Sequence, residues 1–201
     1  IVELNVDDLY ITCQPGLTTF EVQQAAAEVG LMFAPDPASY KDSFIGGNIA
    51  ENAGGMRTPK YGVTKHHVLG MEVVTATGEV IHTGGRTVKN VVGFDLTGLM
   101  CGSEGMLGII TEATLKLLPM PGATSTVRAS FHSMEAACKV LTKFTPEGLL
   151  PMAMEVLDKF CVAAVEEKYA FGLSKEAEAI LLVAVDGSKE EVTRNAELVE
   201  R

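Results

Sequence analysis

The sequence predicts an α+β protein in two parts, residues 1–120 and residues 121–201. Short runs of alternating apolar residues, typical of strands, are interleaved with capped amphipathic helices. Two glycine-rich stretches, Gly46–Gly55 and Gly102–Gly108, both lie in the first part. The segment Pro119–Gly122 reads Pro-Met-Pro-Gly, and a regular β-α-β-α-β-α order follows it. These observations indicate an α+β fold class with a domain boundary near residue 120.

The first part is predicted to contain mainly strands and one well-marked helix. Thr18 and Glu21 have the spacing of a capping box, so a helix is expected to begin there. Gly30 supplies a stop signal, which gives a helix over Thr18–Val29. Pro35–Pro37 (Pro-Asp-Pro) predicts a loop. Strands are predicted over Ile1–Asn5, Asp8–Gln14, Val68–Val74, Glu79–Thr83 and Ile109–Leu118.

The second part is predicted to alternate strands and helices. Strands are expected over Thr126–Phe131, Met152–Leu157 and Ile180–Val185. Ser133 is expected to cap the first helix, the second is expected near Asp158–Tyr169, and Ser188 with Glu191 is expected to cap the third. The predicted arrangement is an α+β sandwich.

Composition excludes several classes of function. The formal net charge of −10 argues against a nucleic-acid partner, which requires clustered lysine and arginine. No run approaches the roughly 18 apolar residues that would span a bilayer. The four cysteines, Cys13, Cys101, Cys138 and Cys161, form no CxxC pair, so we expect reduced, mostly buried thiols in a protein that is cytoplasmic or bound peripherally at the inner face of the membrane. No metal site is expected, and the adjacent His66 and His67 are interpreted as surface or turn residues.

The glycine-rich stretches allow two interpretations. Glycine can serve a tight turn that needs positive φ, or it can let the main chain approach a phosphate or a flat ring. Gly102, Gly105 and Gly108 have GxxGxxG spacing and open a strand rather than a helix. A nicotinamide-binding Rossmann turn is therefore excluded, and no GxxxxGK(S/T) phosphate loop occurs.

Three stretches resemble one known family. Ile45–Gly55, then Lys60–Val63, then Gly102–Ala113 resemble the FAD-linked oxidases with a PCMH-type FAD-binding domain, typified by the FAD-binding subunit of glycolate oxidase and by D-lactate dehydrogenase. The resemblance implies that residues 1–120 are the C-terminal part of an FAD-binding domain that lacks its N-terminal subdomain. It implies that residues 121–201 begin a ferredoxin-like α+β cap domain on the substrate side.

The resemblance also implies the cofactor and the residues that contact it. FAD is expected to lie extended along Pro35, Asp36, Ser39, Gly46, Gly47, Asn48, Asn52, Ala53, Gly54, Gly55, Tyr61, Gly62, Glu104, Gly105, Gly108, Ile109 and Ile110. Arg57 and Lys60 directly follow this wall and are candidates to bind a substrate carboxylate, with a solvated surface role as the alternative. Met106 and Phe94 depart from the family pattern, where threonine and tyrosine are usual.

The function implied is FAD-dependent oxidation of a small D-2-hydroxy acid, glycolate or D-lactate, to the 2-oxo acid. The catalytic base is expected outside this segment. Two alternatives stay open: an enzyme like alkyl-glycerone-phosphate synthase, and a non-catalytic flavin-domain subunit of an oxidase complex. An iron–sulfur subunit is a candidate partner.

Overall fold

A computed structural model describes residues 1–174 and 176–200. The chain divides into two compact units, one of Ile1–Met120 and one that begins at Pro121. The division therefore falls within the Pro-Met-Pro-Gly segment.

The first unit is built on an antiparallel sheet. Its elements in chain order are β1 (Glu3–Asn5), β2 (Tyr10–Cys13), α1 (Thr19–Glu28), β3 (Leu31–Met32), α2 (Ile45–Glu51), α3 (Thr58–Tyr61), a 3₁₀ helix (Thr64–His67), β4 (Val68–Val74), β5 (Val80–Gly84), α4 (Leu96–Met100), β6 (Ile109–Lys116) and β7 (Leu118–Pro119). Five strands pair in the order β1-β2-β6-β4-β5, and β3 pairs with β7. The strands predicted from alternation are present, with ends shifted by a few residues.

Helix α1 packs into the hydrophobic core of the first unit. Its capping box forms as predicted: Thr18 Oγ1 accepts from the Glu21 amide at 3.2 Å, and the Glu21 carboxylate accepts from the Thr18 amide at 2.7 Å. Val22 and Ala26 are fully buried against the sheet. The local cap and the apolar stripe point to the same helix, which explains why the sequence located it well.

The first half of the first glycine-rich stretch lies in a helix and does not form one of the tight turns that glycine can serve. Helix α2 forms there although glycine is a poor helix former. Ile45 and Ile49, one turn apart, are buried in the same core cluster. The burial of these side chains outweighs the propensity of the glycines between them.

The second unit has the predicted β-α-β-α-β-α order. Its elements are β8 (Ala123–Phe131), α5 (Met134–Phe144), β9 (Ala153–Asp158), α6 (Lys159–Tyr169), β10 (Ala179–Gly187) and α7 (Lys189–Glu200). Strand β10 lies between β8 and β9 and is antiparallel to both, so β8 and β9 run in the same direction, as in a split β-α-β unit. This confirms the α+β fold class.

Burial divides the cysteines into two pairs. Cys13 and Cys101 are buried, and burial raises the pKa of each thiol to about 11. Cys138 and Cys161 are exposed, so the expectation of mostly buried thiols holds for only half of them. Among the described residues, no helix combines the length and apolarity that crossing a bilayer requires.

Candidate functional site

The two glycine-rich segments lie side by side in the first unit. The Gly102 amide donates to the carbonyl of Ile49 at 2.9 Å, and the Glu104 amide donates to that of Ala50 at 2.9 Å. The segment before β6 is thereby tied to the last turn of α2. The two halves of the predicted wall are therefore neighbours in space, although residues 56–101 separate them in sequence.

The residues predicted to contact the cofactor differ in exposure. Six are exposed: Ser39, Gly47, Gly54, Glu104, Gly105 and Ile109. Nine are half-buried: Asp36, Gly46, Asn52, Ala53, Gly55, Tyr61, Gly62, Gly108 and Ile110. Pro35 and Asn48 are buried. The exposed group defines the part of the wall that is open to a ligand.

The space around each glycine of the predicted wall separates these glycines into two groups. A Cβ at Gly55 would clash with the main chain of Asp36, and a Cβ at Gly62 would clash with the ring of His66. At Gly46 it would lie 2.7 Å from Pro15 Cβ. These glycines are required by packing within the unit. A Cβ at Gly47 would meet no atom within 4 Å, so internal packing does not explain that glycine.

Several main-chain N–H groups of the predicted wall already donate within the protein, so fewer are free for a ligand than its many glycines indicated. The Gly46 amide donates to the Pro15 carbonyl, and the Gly55 amide to Thr58 Oγ1. Gly47, Gly54 and Gly105 are exposed residues, and within residues 1–174 and 176–200 their main-chain amides have no hydrogen-bond partner. Three N–H groups are thus available to an anionic ligand from this part of the wall.

The two asparagines of the first stretch use their side chains inside the protein. Asn48 is buried, and its amide nitrogen donates to Thr19 Oγ1. Asn52 ends α2 in the left-handed conformation, with φ of 53°, and its Oδ1 accepts from the Lys65 amide at 2.9 Å. The structure therefore gives both side chains a role in building the wall.

Asp36 joins the predicted loop to Arg57. Its Oδ1 accepts from the Arg57 amide at 3.1 Å, and its Oδ2 lies 3.3 Å from Arg57 Nε. Lys60 Nζ lies 5.4 Å from the centroid of the Tyr61 ring. The two candidate substrate-binding cations therefore differ: Arg57 is paired with a carboxylate of the wall itself, and Lys60 lies beside an aromatic ring of the wall.

Two histidines hold the turn at Tyr61–Val63; His66 is exposed, as the sequence predicted, but His67 is not. The ring of His67 is buried and its Nε2 lies 2.8 Å from the Tyr61 carbonyl, while His66 Nδ1 accepts from the Val63 amide at 3.2 Å. The surface placement expected for His67 is wrong, because the 3₁₀ helix carries its ring to an edge contact with Phe33 in the core. The sequence contains no periodic signal that separates the two histidines.

Acid is expected to weaken the fold through His67. Burial holds the pKa of His67 below its ordinary value of 6.5, so the unfolded chain binds the proton more readily than the folded one. The contribution of neutral, buried His67 to stability is complete above about pH 6.5. As pH falls from there toward the lower pKa of the folded state, the free energy of unfolding drops by at most about 1.4 kcal/mol per pH unit.

Urea midpoints at pH 7.5 and pH 5.5, for the wild type and for His67→Gln, measure this contribution. Glutamine keeps an N–H donor for the Tyr61 carbonyl but does not titrate, so the variant should lose less stability on acidification. Equal losses in both proteins would assign the effect to other groups.

Comparison with known families assigns the chain. Residues 1–84 match the FAD binding domain, and residues 120–201 match the C-terminal domain of FAD linked oxidases. The chain belongs to the FAD-linked oxidases. The family and the cofactor FAD predicted from the three stretches are thus confirmed.

The chain is similar to curated relatives along nearly its whole length. The glycolate oxidase subunit GlcD of Bacillus subtilis is 43% identical over 200 residues, which cover 100% of this chain and 43% of GlcD. A D-lactate dehydrogenase of Archaeoglobus fulgidus is 36% identical over 193 residues, covering 94% of this chain and 42% of the enzyme. The chain therefore spans about two fifths of the curated relatives it matches.

A solved structure shares the fold of this chain. An alkyldihydroxyacetonephosphate synthase superposes with a TM-score of 0.81 at 23% identity, over 100% of this chain and 39% of the synthase. At that identity the likeness concerns the fold alone. Within the FAD-linked oxidase itself, the segment Gly102–Ile110 lies between the two matched ranges, and its hydrogen bonds to α2 attach it to the FAD binding domain.

Proposed function

We propose that the exposed main chain at Gly47, Gly54 and Gly105 forms one wall of the FAD site in an enzyme that oxidises a small D-2-hydroxy acid to the 2-oxo acid. The observation that carries this proposal is the union of the two segments through the amides of Gly102 and Glu104. That union gathers three unpaired N–H groups and a glycine without internal packing on one unit that matches the FAD binding domain.

The physical chemistry of the wall suits the diphosphate and the flat ring of FAD. Exposed N–H groups are donors for phosphate oxygens. Gly47 lets the main chain come closer to a flat group than any residue with a Cβ allows. Bound FAD would supply the electron acceptor, while this chain would bind and orient it. We expect the residue that takes the hydroxyl proton to lie outside residues 1–201.

The names of the relatives support the substrate class. They include a glycolate oxidase subunit, two D-lactate dehydrogenases and a D-2-hydroxyglutarate dehydrogenase. All act, by name, on acids with a hydroxyl at C2. Among the wall's cations, Lys60 is the proposed contact for the substrate carboxylate.

The word subunit in the name of the first relative supports assembly with a further chain, and we propose an iron–sulfur subunit as that partner.

Anaerobic mixing of the full-length protein with hydroxy acids tests the activity. Glycolate, D-lactate and D-2-hydroxyglutarate should be offered separately, with L-lactate as the matched control. We expect the visible absorbance of bound flavin to bleach with at least one D-acid or glycolate, and not with L-lactate. Protein that binds flavin but bleaches with none would favour the synthase-like or non-catalytic alternative. Protein that takes up no FAD would contradict the wall itself.

A further inference from the structure

We propose that Arg57 is a positioning residue, which braces the Pro35–Asp36 loop against Gly54–Gly55 through its pair with Asp36, and not a ligand of the substrate carboxylate. The inference rests on the proposed FAD wall for its functional consequence. Its structural core, the brace, depends only on contacts within the first unit.

Arg57 engages both oxygens of Asp36. The main-chain amide donates to Oδ1, and Nε lies 3.3 Å from Oδ2. The side chain of Asp36 is only 13% exposed and that of Arg57 is 32% exposed. A pair sheltered to this degree is screened less than an open surface pair, and the two contacts from one residue fix its orientation.

A second nitrogen of the Arg57 guanidinium also contacts the protein. Nη1 donates to Met32 Sδ at 3.6 Å, at the end of β3, the strand that leads into the Pro35–Asp36 loop. The side chain therefore extends between the start of α3 and the end of β3. Moving it to a substrate carboxylate would leave the half-buried Asp36 without this partner, which is unfavourable.

The loop that Arg57 braces is held on two further sides. Gln23 Nε2, on α1, donates to the Pro35 carbonyl at 2.9 Å. The main chain of Asp36 lies directly against Gly55, where a Cβ would clash. Gly55 is adjacent to Gly54, an exposed residue whose main-chain amide has no hydrogen-bond partner among the described residues. Fixing Asp36 therefore fixes the position from which the Gly54 amide is presented.

A double-mutant cycle in the full-length protein tests the brace. The variants are Arg57→Gln, Asp36→Asn and the double variant, and Arg86→Gln is the control. Arg86 pairs with Glu3 at 3.2 Å, is 63% exposed and lies outside the wall. The first readout is amide hydrogen exchange of residues 35–39 in protein stripped of flavin. We expect exchange about tenfold faster than wild type in each single variant and unchanged in the control. In the double variant, exchange should be no faster than in either single variant.

The second readout separates positioning from substrate binding. FAD dissociation constants should rise about tenfold in each single variant and no further in the double. At saturating FAD, the KM for the hydroxy acid should stay within about twofold of wild type.

Each outcome decides a different question. Unchanged exchange, or effects that add in the double variant, would overturn the brace whatever happens to FAD. A KM raised about tenfold in Arg57→Gln but not in Asp36→Asn would make Arg57 a substrate ligand. Faster exchange in a protein that never binds FAD would uphold the brace and contradict the proposed function.

Discussion

Replacing Gly47 by alanine is expected to weaken FAD binding about tenfold while leaving the fold intact, and replacing it by leucine is expected to abolish detectable binding. Gly47 is exposed and a Cβ there would meet no protein atom within 4 Å. The added carbon can therefore conflict only with something that lies outside the unit. A loss of about 1.4 kcal/mol corresponds to the tenfold effect expected for alanine.

The Gly47→Ala substitution should leave the free energy of unfolding unchanged or raise it. Gly47 is the third residue of α2, and alanine in a helix is favoured over glycine by roughly 0.5–1 kcal/mol. Any loss of cofactor then cannot come from unfolding. The measurement is titration of the deflavinated full-length protein with FAD, together with its thermal midpoint.

Gly16→Ala is the matched control for Gly47→Ala. Gly16 is exposed, and a Cβ there would also meet nothing within 4 Å, but the residue lies outside the predicted wall. This variant should bind FAD like the wild type. Wild-type affinity in Gly47→Leu would show that no ligand approaches the main chain at this position, and the proposed wall would have to be moved.

Local signals explain which parts of the fold could be predicted. Helix α1 is specified by Thr18 and Glu21, three residues apart, and by its own apolar stripe. The order of the second unit follows from apolar patterns bounded by caps such as Ser133 and Asp158. Each of these features is contained in a window of about ten residues, so the sequence displays it directly.

The misjudged features depend on contacts between distant residues. Helix α2 forms because Ile45 and Ile49 are buried by the sheet, a contribution that local propensity does not contain. His67 is buried because the chain carries it onto Phe33, which lies 34 positions earlier. In both cases the deciding contact is made with residues distant in sequence, which a local pattern does not contain.

The roles of the individual glycines also could not be predicted from the sequence alone. In the sequence Gly47 and Gly55 belong to one cluster and look equivalent. In the structure Gly55 lies against the main chain of Asp36, while Gly47 is open to solvent. The resemblance identified the family and its cofactor, but only the fold separates glycines that are packed inside the unit from a glycine that is open to solvent.

Gly55→Ala is accordingly expected to damage the fold rather than the contact with FAD. The new Cβ would clash with the carbonyl group of Asp36, and a main-chain clash cannot be relieved by choosing another rotamer. Either the Pro35–Asp36 loop or the Gly54–Gly55 segment must move, which also strains the pair of Asp36 with Arg57. We expect the free energy of unfolding to fall by about 3 kcal/mol, the upper part of the range for overpacking.

Urea unfolding of Gly55→Ala, beside Gly47→Ala, measures the difference between the two glycines. The first variant should unfold at a clearly lower urea concentration, and any weaker FAD binding should follow the population of folded protein. The second should unfold at or above the wild-type midpoint and still bind FAD more weakly. Wild-type stability in Gly55→Ala would mean that the loop at Asp36 yields easily, and a loop that yields could not present the Gly54 amide at a fixed position. The contrast between these two substitutions therefore tests whether the wall is preorganised by packing before any cofactor arrives.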